Sequence, residues 1–317
     1  GLLPAQVQKV TGRQPRSQAG LDRFYQQWKA VQVPDPYLGF RYAPNLDVVL
    51  EGHPDFIYRL RTNSRGLRNL RAAGPVDALL IGDSFAFGYG VNEEDSWEAR
   101  LQAMTGLEFV NFGVSGFGPL RELRLLQRDG LALQPKLVVW QFFKNDFFDA
   151  SNFQRWLASG HPDFIAWEAE VYHAPSAAPQ GSGLSWQIRS WLYRHVITYE
   201  LVKYALGLGA YADRSQRPLT VTVDGTPLYL EQTLNREWAD FTRPDIEQGW
   251  HATQQALLQA RDLAQAAGAQ FVVVMAPSKE ETYWRLMAPK VDDPQGFHMR
   301  LNSQRLAKNL LQMQGDL

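Results

Sequence analysis

The chain has 317 residues, 45% hydrophobic and 21% charged, a balance that belongs to a folded globular protein and excludes a disordered one. A formal net charge of −1 leaves no basic excess for a broad nucleic-acid surface, and zero cysteines exclude disulfides, Cys-ligated zinc and a cysteine nucleophile. No apolar run approaches the ~20 residues that a membrane-spanning helix requires, and Gly1-Leu2-Leu3-Pro4 is too short an apolar start for a signal peptide.

Residues 1–76 read as an N-terminal extension. It starts with a helix near Leu21 to Val31, followed by Pro-bounded turns. Two strands, Asp47 to Leu50 and Phe56 to Arg61, then flank Gly52-His53-Pro54-Asp55 as a hairpin-like cap. From Asp77 to Asp149 strand and helix alternate, which implies a parallel sheet with right-handed crossovers. One helix draws its apolar face from Trp97, Leu101 and Met104, the next from Leu120, Leu123 and Leu126, with stops expected at Gly106 and Gly130.

Residues from about 150 to 248 depart from that alternation and read as a large insertion covering the mouth of the site. It holds a Pro- and Ser-rich loop from Ala174 to Gly183. A helical stripe follows: Ile188, Trp191, Leu192, His195, Tyr199, Val202 and Leu206. Leu219 to Val223 and Leu228 to Leu230 flank Asp224-Gly225-Thr226 as a hairpin. The alternation resumes with a helix from His251 to Ala267, stopped by Gly268, and a strand from Gln270 to Met275.

Three strand ends carry the chemistry. Leu79-Leu80-Ile81 runs straight into Gly82-Asp83-Ser84, the way a nucleophilic serine is presented at the carboxyl end of a parallel strand. Gly82 permits the tight turn. The helix that follows is expected to aim its first free N–H groups at an oxyanion near Ser84. Leu107 to Phe112 breaks into Gly113-Val114-Ser115-Gly116, and Leu137 to Phe143 ends in Lys144-Asn145-Asp146. The Gly116 N–H and the Asn145 amide supply further donors of the kind a tetrahedral intermediate needs. Taken singly, each has a bland reading: a turn glycine, or a polar residue capping a helix. Three in succession, each after a strand, favour the chemical one.

These residues resemble the SGNH (GDSL-type) hydrolase superfamily, whose blocks are a GDS serine, a glycine, an asparagine and a late Asp-x-x-His. Ser84, Gly116 and Asn145 match the first three; the usual Gly-x-Asn-Asp is here Phe143-Lys144-Asn145-Asp146. Thr62 to Arg68, and Ala276-Pro277-Ser278-Lys279 through Tyr283, are similar to segments of bacterial members with an N-terminal extension and of the alginate acetylation proteins. The resemblance implies a three-layer α/β/α, flavodoxin-like domain over residues 77–317, carrying the extension and the insertion. It also implies acyl transfer through an acyl-serine and an extracytoplasmic setting, with a cytoplasmic one as the alternative. Independently, the chain has no Gly-x-Gly-x-x-Gly or Walker motif and no histidine pair at ligand spacing on one helix, so no cofactor and no metal are expected. The expected partner is a small-molecule or glycan ester, with no nucleic acid.

An esterase resolves the acyl-serine with water, and a polysaccharide O-acetyltransferase with a sugar hydroxyl. A non-catalytic glycan-binding relative keeps only the scaffold. No Asp-x-x-His occurs among the six histidines His53, His161, His173, His195, His251 and His298. The expectation is therefore a base beyond Leu317, or His298, the late one. Of the ten tryptophans, Trp156, Trp167, Trp186, Trp191, Trp238 and Trp250 lie in or near the insertion, suited to core packing or to stacking on sugar rings.

Overall fold

The structure is a computed structural model that describes residues 18–53, 56–68, 75–160, 163–173, 219–223, 226–230, 240–290 and 312. Helix α1 (Gln18–Ala30) leads into a two-stranded antiparallel ribbon, β1 (Gln32–Asp35) and β2 (Gly39–Tyr42), in register Gln32 to Tyr42 and Asp35 to Gly39. The sequence indicated only turns here. The ribbon closes because the Asp35 carboxylate accepts the N–H groups of Tyr37 and Leu38, each at 2.9 Å. Strands β3 (Asp47–Leu50) and β4 (Tyr58–Arg61) pair antiparallel, Asp47 opposite Arg61, as the sequence pattern predicts. Residues 54 and 55 lie outside the described ones.

The central strand, β5 (Ala78–Ile81), is apolar throughout and fully buried, as a parallel strand covered on both faces must be. A single-turn helix, α2 (Ser84–Phe87), follows it, and then α3 (Trp97–Thr105) and β6 (Phe109–Asn111). Next come α4 (Pro119–Leu125), which widens into a π-type turn over Leu126–Gly130, β7 (Leu137–Phe142) and α5 (Asp146–Ser159). The described elements continue with α6 (Phe164–His173), β8 (Leu219–Val223), β9 (Thr226–Leu230), α7 (Pro244–Ala266), β10 (Gln270–Met275), α8 (Lys279–Thr282) and α9 (Trp284–Met287). The parallel sheet has the order β10-β7-β5-β6, with Ile81 opposite Trp140 and Leu80 opposite Asn111.

Alternate residues of β5 face opposite layers. Ala78 and Leu80 join Phe109 and Val139 under Trp97 and Leu101 of α3. Leu79 faces the other way, where a Cβ on Gly130 would lie 3.2 Å from its side chain. Helices on both faces of a parallel sheet make this an α/β fold of the expected class.

Three local expectations are corrected. Met104 is 82% exposed, while Trp97 and Leu101 of the same helix pack on the core. Gly130 stays helical at φ −72°, and the chain turns instead at Gln134, φ 47°. Helix α7 begins at Pro244, seven residues before His251, since proline at the first helical position gives up only an N–H that would have no intrahelical partner. Gly106 and Gly268 do turn left-handed where the sequence places its stops.

The chain divides into two units, Gly1–Ile165 with Trp238–Pro277 and Ser303–Leu317, and Ala166–Glu237 with Ser278–Asn302. Within the second, β8 and β9 form the expected antiparallel hairpin, Val223 opposite Thr226, and Ser278 and Glu281 cap α8 reciprocally. The aromatic stripe from Ile188 to Leu206 lies outside the described residues. No described helix is long and apolar enough to cross a membrane.

The N-terminal extension grips α2. Tyr42 stacks on Phe87 at 5.0 Å, and Trp28 meets Phe87 and Tyr89 edge-on at 5.9 and 5.1 Å. The turn Asn63 to Leu67, pinned by the Asn63 side chain accepting the N–H groups of Arg65 and Leu67, delivers Arg68 into the core. The Arg68 guanidinium, between Tyr58 and Phe87, donates to the carbonyls of Phe87, Gly88 and Val91. Arg68→Ala strips those carbonyls of their donor and is expected to cost roughly 3 kcal/mol or more. Urea denaturation measures it, and a loss under about 1 kcal/mol would contradict this account of the contact.

Candidate functional site

Ser84 is set by a turn that tolerates no side chain at its first position. Gly82 has φ +155°, and a Cβ there would lie 2.6 Å from the Gln141 amide oxygen. Buried Asp83 caps α2 by accepting the Phe85 N–H at 2.9 Å, while Gln141 Oε1 accepts the Ala86 N–H at 3.0 Å. The next N–H, of Phe87, goes to the Asp83 carbonyl. The first N–H groups after Ser84 are therefore taken, which corrects the expectation of a helix end open to an oxyanion. What this turn can offer is the N–H of Ser84 itself. The Ser84 side chain is half-buried, beside Phe85, which is 41% exposed and packs on Phe143 at 4.5 Å.

The loop after β6 is docked on the same turn. Val114 N–H donates to the Gly82 carbonyl at 3.0 Å. Asn111, buried at the end of β6, donates from Nδ2 to the Ala86 carbonyl and accepts the Gly113 N–H, both at 2.8 Å. Gly113 must lack a side chain, as a Cβ would come within 2.3 Å of the Phe87 nitrogen. Gly116, exposed and at φ +85°, has its carbonyl held by Arg121.

After β7, Asn145 stands as the N-cap of α5, and the Phe143 N–H donates to Asp146 at 3.0 Å. Asn145 donates an amide hydrogen to Asp149 at 3.2 Å, and its side chain also acts on the Asp83 carboxyl. Strand register puts Ser84 three residues past Ile81, Asn145 five past its partner Trp140, and Gly116 five past Asn111. All three therefore stand at the carboxyl end of adjacent strands, where open α/β sheets hold their ligands. The side chains of Ser84, Asn145 and Gln141 all lie within electrostatic reach of Asp83.

No family model matches this chain, and no curated protein does. Solved structures similar to it include a protein described as lipolytic and of the G-D-S-L family, from Desulfitobacterium hafniense DCB-2. It is 29% identical over 31% of this chain and 55% of its own, at TM-score 0.23. Another is a catalytic mutant of Axe2, an acetylxylan esterase from Geobacillus stearothermophilus, 17% identical over 77% of this chain and 96% of its own, at TM-score 0.26. The chain thus spans about half the length of the first. Superpositions this shallow decide nothing about the site, and its reading rests on the residues themselves.

Burial dominates the electrostatics here. It pushes the Asp83 carboxyl up to about 6, against the downward pull of the Phe85 N–H and of Asn145, Gln141 and Ser84. Glu122 and Asp146, also fully buried, are raised well above the usual carboxylate range by burial first, then Glu122 by the charges of Asp83 and Asp149, and Asp146 by those of Glu122, Asp83 and Asp149.

Among the described residues no histidine hydrogen-bonds to Ser84. His53 stacks on Phe56 at 3.7 Å in the extension, and His251 lines a groove with Gln154, Glu247 and Gln255. His161, His195 and His298 lie outside the described residues, as does the side chain of His173. The described residues contain no group of histidines and carboxylates able to hold a metal ion. Trp156, Trp167 and Trp250 are buried, so packing accounts for them; Trp186, Trp191 and Trp238 lie outside.

Sequence reasoning passed over Asn111 and Gln141, although a polar residue inside an otherwise apolar strand is a signal of buried hydrogen bonding. Asn111→Leu leaves the Ala86 carbonyl and the Gly113 N–H buried without partners. It is expected to lower unfolding free energy by roughly 2–4 kcal/mol, read by urea denaturation.

Proposed function

We propose that this chain is a serine esterase working through an acyl-serine intermediate. The observation that carries this reading is the arrival of Ser84, Gly116 and Asn145 at the ends of three adjacent parallel strands, with the residues behind them locked by buried amides. The Ser84 hydroxyl attacks the ester carbonyl carbon. Its own N–H, the Gly116 N–H and the Asn145 amide then meet the charge that develops on the carbonyl oxygen. A histidine takes the serine proton and returns it to the leaving alcohol.

The exposed Phe85, backed by Phe143, forms an apolar wall suited to the acyl group. Water completes the turnover; a sugar hydroxyl in its place would make the same site an O-acetyltransferase. An extracytoplasmic setting belongs to the same proposal.

Hydrolysis of a chromogenic acetyl ester tests it. Ser84→Ala is expected to abolish turnover, by roughly a thousandfold or more, with an unchanged melting temperature. Asn145→Ala is expected to lower kcat by roughly a hundredfold or more. Turnover that survives in Ser84→Ala overturns the assignment, and product appearing as an acetylated sugar when sugar is added identifies the transferase.

A further inference from the structure

Beneath the three site turns lies a floor of carboxyl groups that the proposed chemistry does not use. Asp83 after β5, Glu122 on α4 and Asp146 opening α5 are each at most 1% exposed. Oδ2 of Asp83, both oxygens of Glu122 and Oδ1 of Asp146 have no hydrogen-bond partner of ordinary geometry among the described residues. Asp83 and Asp149 repel a charge on Glu122, and Glu122, Asp83 and Asp149 repel one on Asp146. The cation facing Glu122 is Arg121. Its guanidinium also holds the Gly116 carbonyl and lies over the rings of Phe117 and Phe164, at 4.6 and 4.4 Å. Lys144 is buried next to Asn145 in the chain. Helix α7, packed on α4 and α5, buries only glycine, apolar side chains and Thr253, and so brings no buried charge.

A separate observation points into the same floor. The Trp140 indole, fully buried on β7, faces the Glu122 carboxyl, and the buried Gln141 amide faces that of Asp83, neither in ordinary hydrogen-bond geometry. Every site turn is also tied to this floor by a neighbour in sequence or by a bond. Asp83 precedes Ser84, Asp146 follows Asn145, Asp149 accepts from the Asn145 amide, and Arg121 donates to Gly116.

Three buried carboxyls with so little compensation cannot all be ionised, because each bare charge would be stranded in low dielectric. We infer that Glu122 is a positioning residue that works as a neutral carboxylic acid, sharing protons with Asp83 and Asp146 so that Ser84, Gly116 and Asn145 keep one arrangement. The positioning role rests on the esterase reading of those three residues; the holding of protons does not.

The sign of the pH effect follows. All three carboxyls bind protons more tightly folded than unfolded, so folding takes protons up and stability falls as pH rises from the unfolded carboxylate range near 4. The Asp83 share of that fall is complete above about pH 6, and those of Glu122 and Asp146 continue higher.

Three readouts on the whole chain test the proposal: infrared absorption of protonated carboxyls, melting temperature between about pH 5 and pH 8, and the rate of Ser84 labelling by a fluorophosphonate. The wild type is expected to keep a protonated-carboxyl band at about pH 8, weakened in Glu122→Gln and in Asp146→Asn. Its melting temperature should fall with rising pH, and Glu122→Gln should flatten that slope. Labelling should survive in Glu122→Gln, with a flatter pH profile, and slow by roughly a hundredfold in Glu122→Ala, where the turns lose their support. Should Glu122→Gln fail to fold, Asp146→Asn carries the same three readouts. No band in the wild type at about pH 8, or a melting temperature independent of pH, overturns the proposal. Labelling slowed as much in Glu122→Gln as in Glu122→Ala overturns the neutral-acid role. A band with no labelling of any variant overturns the esterase reading and leaves the proton-holding floor standing.

Discussion

Ala86 is clamped from both sides. Its N–H is held by Gln141 of β7 and its carbonyl by Asn111 of β6, so the single turn of α2 is bolted to the two strands that flank its own. A four-residue helix has too few internal hydrogen bonds to persist by itself. Here the sheet supplies the missing constraint through two buried side-chain amides, and the direction in which Ser84 points follows from them. The glycines around the clamp obey the same geometry. Gly82 and Gly113 are where the neighbouring chain comes too close for a β-carbon.

The N-terminal extension completes the enclosure from the opposite side. Arg68 uses one planar guanidinium to gather the carbonyls of Phe87, Gly88 and Val91 at the exit of α2, and the rings of Tyr42 and Trp28 close over Phe87. Strand end, sheet amides and extension thus act on one short segment. Its rigidity has a consequence for chemistry, since the N–H groups that hold α2 in place cannot also hold an oxyanion. On the proposed esterase reading, donors beyond the Ser84 N–H come from the neighbouring strand ends, at the Gly116 and Asn145 turns.

The floor of carboxyls beneath the site is the feature that a reading of residue types conceals most. Arg121 and Glu122 lie between Leu120 and Leu123 and look like the solvated side of an amphipathic helix. Both are buried, because α4 is covered by α5 and α7 as well as by the sheet. A helix packed on several sides has no outer face for charges, and the period of its leucines does not reveal how many neighbours it has. Met104 shows the converse: a correct helical spacing with nothing beneath it.

Much was legible from the chain alone, and for definite reasons. An unbroken apolar run announces a strand buried on both faces, as at Ala78–Ile81, and glycines announce turns, as at Gly82, Gly106 and Gly268. The order of Ser84, Gly116 and Asn145 after successive strands was visible because parallel strands all end on the same edge. The β1–β2 ribbon was not visible, since strands of four residues containing Pro34 carry no usable period. Gly130 misled for a related reason: a glycine chosen for close packing against Leu79 looks the same as one chosen for a turn. Local residue patterns therefore determined which segments become strands and where polar residues fall along them. Tertiary packing alone decided which of those polar groups are free, which are spent holding the turns, and which must keep their protons. Burial and hydrogen-bond partnership belong to neighbours in space, and no spacing along the chain encodes them.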